Sequence, residues 1–149
     1  MSHLVTIPAQ FNDLQCLAEA AKALGLQFNW FQTKMEWFGT FMNDYDGANA
    51  AYNQGIPVED YGKAQHTITV PGSGYNVGVI LDKDGNYRVY WDSWGSHGAK
   101  IDQAIGAKAE KLKQAYSLHK TIQFAKSKNW NYEVETLSNG NQVVNLQTR

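Results

Sequence analysis

Cysteine occurs once in the 149 residues, at Cys16. An intramolecular disulfide and a multi-cysteine metal site are therefore excluded. Cys16 falls within a helical pattern and reads as a small, buried helix residue rather than a nucleophile. No run approaches the ~20 apolar residues that cross a bilayer. The first residues lack the basic stretch and apolar core of a signal peptide, so a soluble, cytoplasmic chain is expected. The formal charge is only −1, which gives no overall bias toward nucleic acid.

Reactive constellations are also scarce. His3, His66, His97 and His119 form no HxH or HExxH arrangement, and CxxC is absent. A metal would need distant residues to converge, and neither metal nor cofactor is expected. Ser93 and Ser96 lie in no nucleophile-elbow pattern. Ser73, in Pro71-Gly72-Ser73-Gly74, sits in a turn between strands, whereas a phosphate loop opens a helix. Asp44, Asp46, Glu59 and Asp60 fall in one polar segment and read as solvating groups. No catalytic residue is assigned on this basis.

What is present is a single domain, 1–149, long enough to bury roughly 70% of its unfolded surface. Its most informative stretch is 75–95. Val77, Val79 and Leu81 alternate, as do Tyr87, Val89 and Trp91, with Asp84-Gly85 between them as a hairpin turn. The exit, Trp91-Asp92-Ser93-Trp94-Gly95, has two readings. The indoles are core and Asp92 ends a strand, or the three line a pocket.

Upstream, residues 3–8 predict a short strand ended by Pro8. Asn12 or Asp13 caps a helix bearing Leu14, Leu17, Ala18, Ala21 and Leu24, which Gly25 stops. Leu26, Phe28 and Trp30 alternate as a strand, and Met35 to Phe41 continue as a strand or hairpin arm. Residues 42–63 have no period and read as a loop insertion. His66, Ile68 and Val70 form the apolar face of the next strand. A second helix is expected from about 100 to 128, with Ile101, Ile105, Leu112, Ala115, Tyr116, His119 and Ile122 in one sector and Gly106 as a place for a break. Tyr132 and Val134 open another hairpin, turned at Ser138-Asn139-Gly140, with Val144 and Leu146 on its return strand. The fold class is α+β: a two-layer sandwich of a mainly antiparallel sheet with two helices on one face. Its element order suggests a β-α-β-β unit used twice. Val77, Val79, Leu81, Val89 and Trp91 are expected to share one core with Leu112, Tyr116 and Ile122.

Charge is polarised along the chain. Residues 1–99 hold five basic and ten acidic side chains, a net of −5. Residues 100–128 hold seven lysines against Asp102 and Glu110, a net of +5. The second helix is a basic element on an acidic body, either a solvated face or a docking element.

The opening Met1-Ser2-His3 with its strand, the Asp13–Gly25 helix, the hairpin Tyr75-Asn76-Val77-Gly78 through Trp91-Asp92-Ser93-Trp94-Gly95, and Gln114-Ala115-Tyr116 before Lys120-Thr121 stand in one order. Together they resemble a conserved family of open reading frames from algal plastids and cyanobacteria, with bacterial and phage relatives. That family is a domain of unknown function. The resemblance implies an intracellular chain: plastid stroma for algal relatives, host cytoplasm for phage-encoded ones. It also implies an accessory role, host-directed or defence-modulating in phages, and no established chemistry. Segment 42–63 has no counterpart in the family.

Three functions follow as expectations. The first is a non-enzymatic module binding a protein partner, with Lys111, Lys113 and Lys120 steering it and aromatics anchoring it. The second is a binder of a small anionic or nucleotide-like ligand, held by Trp91, Asp92, Trp94 and Tyr116 with lysines nearby. The third is an enzyme using His119 and Asp92. Nucleic acid finds little support, because the aromatic strands carry few cations besides Arg88.

Overall fold

The computed structural model describes residues 4–37, 62–139 and 142–147. Among these residues five strands form one antiparallel sheet: β1 (Leu4–Phe11), β2 (Gln27–Asn29), β3 (His66–Thr69), β4 (Asn76–Leu81) and β5 (Tyr87–Asp92). Their order is β1-β5-β4-β3-β2, so the first strand closes one side and the second the other. Among the described residues three helices accompany them: α1 (Leu14–Ala23), α2 (Gly95–Ile105) and α3 (Glu110–Ser127). A separate hairpin, β6 (Asn131–Thr136) and β7 (Gln142–Gln147), completes the described chain. The protein is α+β with antiparallel sheets. The expected repeat of the β-α-β-β unit does not extend one sheet, because β6 and β7 pair only with each other among the described residues.

Period-two alternation builds the core. Directly paired residues share a sheet face, so Phe28, Ile68 and Val77 form one row and His66, Val79 and Val89 the next. Ile68, Val77, Val79, Val89 and Trp91 are fully buried and join Leu17, Ala20 and Ala21 of α1 in one apolar cluster. Ile101 and Ile105 of α2 and Leu112, Ala115 and Tyr116 of α3 complete it. The core expectation holds for Val77, Val79, Val89, Trp91, Leu112 and Tyr116. It fails for two residues. Leu81 is 47% exposed, at the last position of β4, where burial fades along the strand. Ile122 is only half-buried.

The opposite sheet face is polar and is overlaid by backbone. Asn29 donates to the hydroxyls of Thr67 and Thr69 at 3.0 and 2.8 Å. The Tyr90 hydroxyl donates to the Lys63 carbonyl at 2.6 Å and accepts from the Gly62 amide. Gly78 leaves room for this layer, since a Cβ there would lie 2.6 Å from the Met35 sulfur.

Several sequence expectations are corrected locally. The stretch 100–128 is two helices, and the first starts at Gly95. Gly106 ends α2 with φ 91°, Ala109 adopts φ 57°, and the Glu110 carboxylate accepts from the Lys108 amide at 2.8 Å. β1 does not end at Pro8 but runs to Phe11, with a register shift between Ile7 and Phe11. An edge strand with a bulge tolerates a residue that has no N–H. The Asp84-Gly85 turn is a wider loop. Asp82 organises it, accepting from the amides of Asp84 and Asn86, while Gly85 supplies φ 83°. Met35 begins no strand; Lys34 makes an isolated bridge to Lys63 instead. Of the loop expected at 42–63, residues 42–61 lie outside the described residues, as do Phe38 to Phe41 and Gly140.

Candidate interaction surface

The residues singled out from sequence do not gather in one place. Trp91 is fully buried, and its indole N–H donates to Asp102 at 2.8 Å, tying β5 to α2. Asp92 is also buried, and its carboxylate accepts from the Trp94 amide at 3.0 Å at the entry to α2. Trp94 is 38% exposed. Tyr116 is buried on α3. Its hydroxyl accepts from the amides of Asn12 and Asp13 and donates to the Asn12 side chain, so it holds the β1–α1 connection. His119 is half-buried on the same helix, and among the described residues no hydrogen bond joins it to Asp92.

The lysines of α3 are similarly divided. Lys111 donates to the Gln103 carbonyl at 2.8 Å, and Lys120 lies 3.7 Å from Asp13. Lys113 is exposed. The Asp13 carboxyl is held below its usual range, first because it accepts from the Cys16 amide as a helix cap. Burial raises the Cys16 thiol, which further removes it from nucleophilic use.

A second polar cluster joins the turn before β4 to α2. The Gly74 amide donates to His97 Nδ1 at 2.7 Å, the Ser73 hydroxyl to the His97 carbonyl, and Lys100 to the Gly72 carbonyl. The Tyr75 ring lies 5.1 Å from His97, and its phenol is raised by burial and then by Asp92. These bonds tie a loop to a helix. They use the polar atoms a ligand would need.

The outstanding surface lies elsewhere, at the end of β2. Trp30 is 45% exposed and Phe31 77% exposed. Their rings belong to a contiguous aromatic cluster. Phe28 and Trp30 are 4.7 Å apart, and His66 stands 5.4 Å from Trp30, 5.0 Å from Phe31 and 6.3 Å from Tyr87. Phe31 has φ 61°, a conformation rare for a bulky residue and one that costs roughly 1–3 kcal/mol. The strain is held by a specific bond, from the Phe31 amide to His66 Nδ1 at 2.9 Å. His66 is buried, and desolvation lowers its pKa from the ordinary 6.5. The neutral imidazole is thus the acceptor that fixes an exposed phenylalanine in a strained pose.

Sequence reasoning placed His66 on an apolar strand face and Trp30 on the inner side of a strand. It missed the ledge they form. One signal was available. Trp30 and Phe31 are adjacent, and a half-buried strand can point only one of two neighbours inward.

This geometry predicts a pH dependence. The unfolded chain takes up a proton at His66 before the folded one does. The contribution of His66 to stability is complete above the unfolded pKa near 6.5 and falls as pH drops below it toward the depressed folded value. Denaturation midpoints of wild type and His66→Asn should therefore converge as the pH falls below the unfolded value of about 6.5. Parallel curves would place the titration elsewhere.

Among the described residues, no three His, Cys, Asp or Glu side chains converge as a metal site, and no helix is long and apolar enough to cross a membrane. Comparison with protein-family models, with curated proteins and with solved structures finds no match in any of the three.

Proposed function

We propose that this chain is a non-enzymatic binding protein that engages a macromolecular partner through the Trp30–Phe31 ledge. The observation carrying this reading is the strained, largely exposed Phe31 held by a buried histidine. Backbone strain persists only where the surroundings enforce it, and it gathers at clamps and binding sites. Exposed aromatics bring large contact area at low entropic loss, which makes them the usual anchors of interfaces. The basic helix α3 adds steering. Lys113 faces solvent, so its charge acts on encounter more than on the docked complex.

The test is a quantitative affinity capture from cells producing the chain. Wild type is compared with a Trp30→Ala/Phe31→Ala double variant and with Phe124→Ala, an aromatic of α3 that is itself 50% exposed. Recovery of the partner should fall at least about tenfold in the double variant, the effect expected when anchors are removed. Phe124→Ala should bind as wild type. Equal recovery in all three would refute the ledge reading.

A further inference from the structure

The two outer strands of the sheet differ in how they are guarded. An outer strand exposes a row of backbone donors and acceptors that another strand can join, and proteins block this with proline, bulges, charge or short length. β1 carries Pro8 and a register shift between Ile7 and Phe11. β2, Gln27-Phe28-Asn29, carries neither proline nor charge, and of these four guards it has short length alone. Among the described residues it is the outermost strand on its side. The aromatic ledge begins at the very next residue.

We infer that the edge of β2 accepts an extended peptide segment of a partner protein as an additional strand. This deepens the proposed function and rests on it. The two faces of the sheet specify the peptide. Phe28 shares its face with Ile68 and with the Trp30–Phe31–His66 cluster, so the peptide residue opposite Phe28 is apolar and seats on the ledge. Gln27 and Asn29 lie on the other face, where Asn29 already bonds Thr67 and Thr69. The peptide residues flanking the apolar one are therefore small and polar, extending that ladder. Main-chain bonds supply the pairing and the alternate side chains the selectivity, which is the physics of strand addition. Because β2 is short, one apolar anchor dominates. The strained Phe31 keeps the ledge turned outward before the peptide arrives, so less ordering remains to be done on binding.

The probe is a library of linear random peptides selected on the full-length protein. Enriched sequences should share a polar-apolar-polar core, and their affinity should fall at least about tenfold on Trp30→Ala or Phe31→Ala. The selected peptide is then remade with N-methyl groups on alternate amides, in both registers. In a paired strand alternate amides point toward the neighbour, so one register should abolish binding and the other should spare it. If both N-methylated peptides bind as the parent while the ledge variants still lose affinity, strand addition is overturned and the ledge reading stands. If neither methylation nor ledge variants matter, both fail. Sedimentation of the protein alone is the last arm. A dimer that Gln27→Lys dissolves would assign this edge to a second copy of the chain and overturn the peptide inference. A monomer supports it.

Discussion

Replacing Trp91 by alanine should lower stability by about 3–5 kcal/mol. The indole is fully enclosed between sheet and helices, so its removal leaves a cavity as well as lost transfer energy. It also orphans Asp102, whose carboxylate accepts the indole N–H at 2.8 Å. Trp91→Phe separates the two contributions. It keeps most of the apolar volume and removes the hydrogen bond, so its loss should lie well below that of alanine. Urea unfolding monitored by far-ultraviolet circular dichroism measures both. A Trp91→Ala midpoint equal to wild type would show that the indole does not organise this core.

The second large effect lies on α3. Leu112→Ala should cost about 2–5 kcal/mol, since the side chain is fully buried in the apolar cluster. Ile122→Ala, on the same helix, should cost only about 1 kcal/mol, because Ile122 is half-buried and has less apolar surface to lose. The comparison holds helix and chemistry nearly constant and varies burial. Equal midpoints for the two variants would contradict the packing of α3 described above.

The parts of this fold that were readable from sequence are those where a local pattern and its tertiary outcome agree. The β4–β5 alternation predicts its own burial, and Val77, Val79, Val89 and Trp91 follow it. Asp13 caps α1 as its chemistry requires. The failures arise where tertiary context decides. Leu81 obeys the alternation, yet it stands 47% exposed at the end of β4. The break between α2 and α3 was marked by Gly106, but the left-handed Ala109 carries no signature of its own. Tyr116 appeared as a pocket aromatic. Its hydroxyl instead serves three groups at the start of α1, a partnership across more than a hundred residues that no periodicity encodes. The ledge escaped for a related reason. A phenylalanine at positive φ is an exception to residue preference, and only a histidine brought from β3 makes it tenable.

The pairing of β1 with β5 has a consequence for how the chain reaches this structure. Leu4 lies opposite Asp92 and Val5 opposite Trp91, so one edge of the sheet joins the beginning of the described chain to its middle. Such a contact must close a long loop before it returns any favourable energy, and sheets dominated by distant pairings fold slowly, on the order of milliseconds to seconds. During synthesis β1 leaves the ribosome well before its partner exists. Until Tyr87–Asp92 follows, an apolar-bearing strand has no place in the sheet and is open to association with other chains. Pro8 is present on the strand from the start, so it guards the nascent protein as well as the finished one.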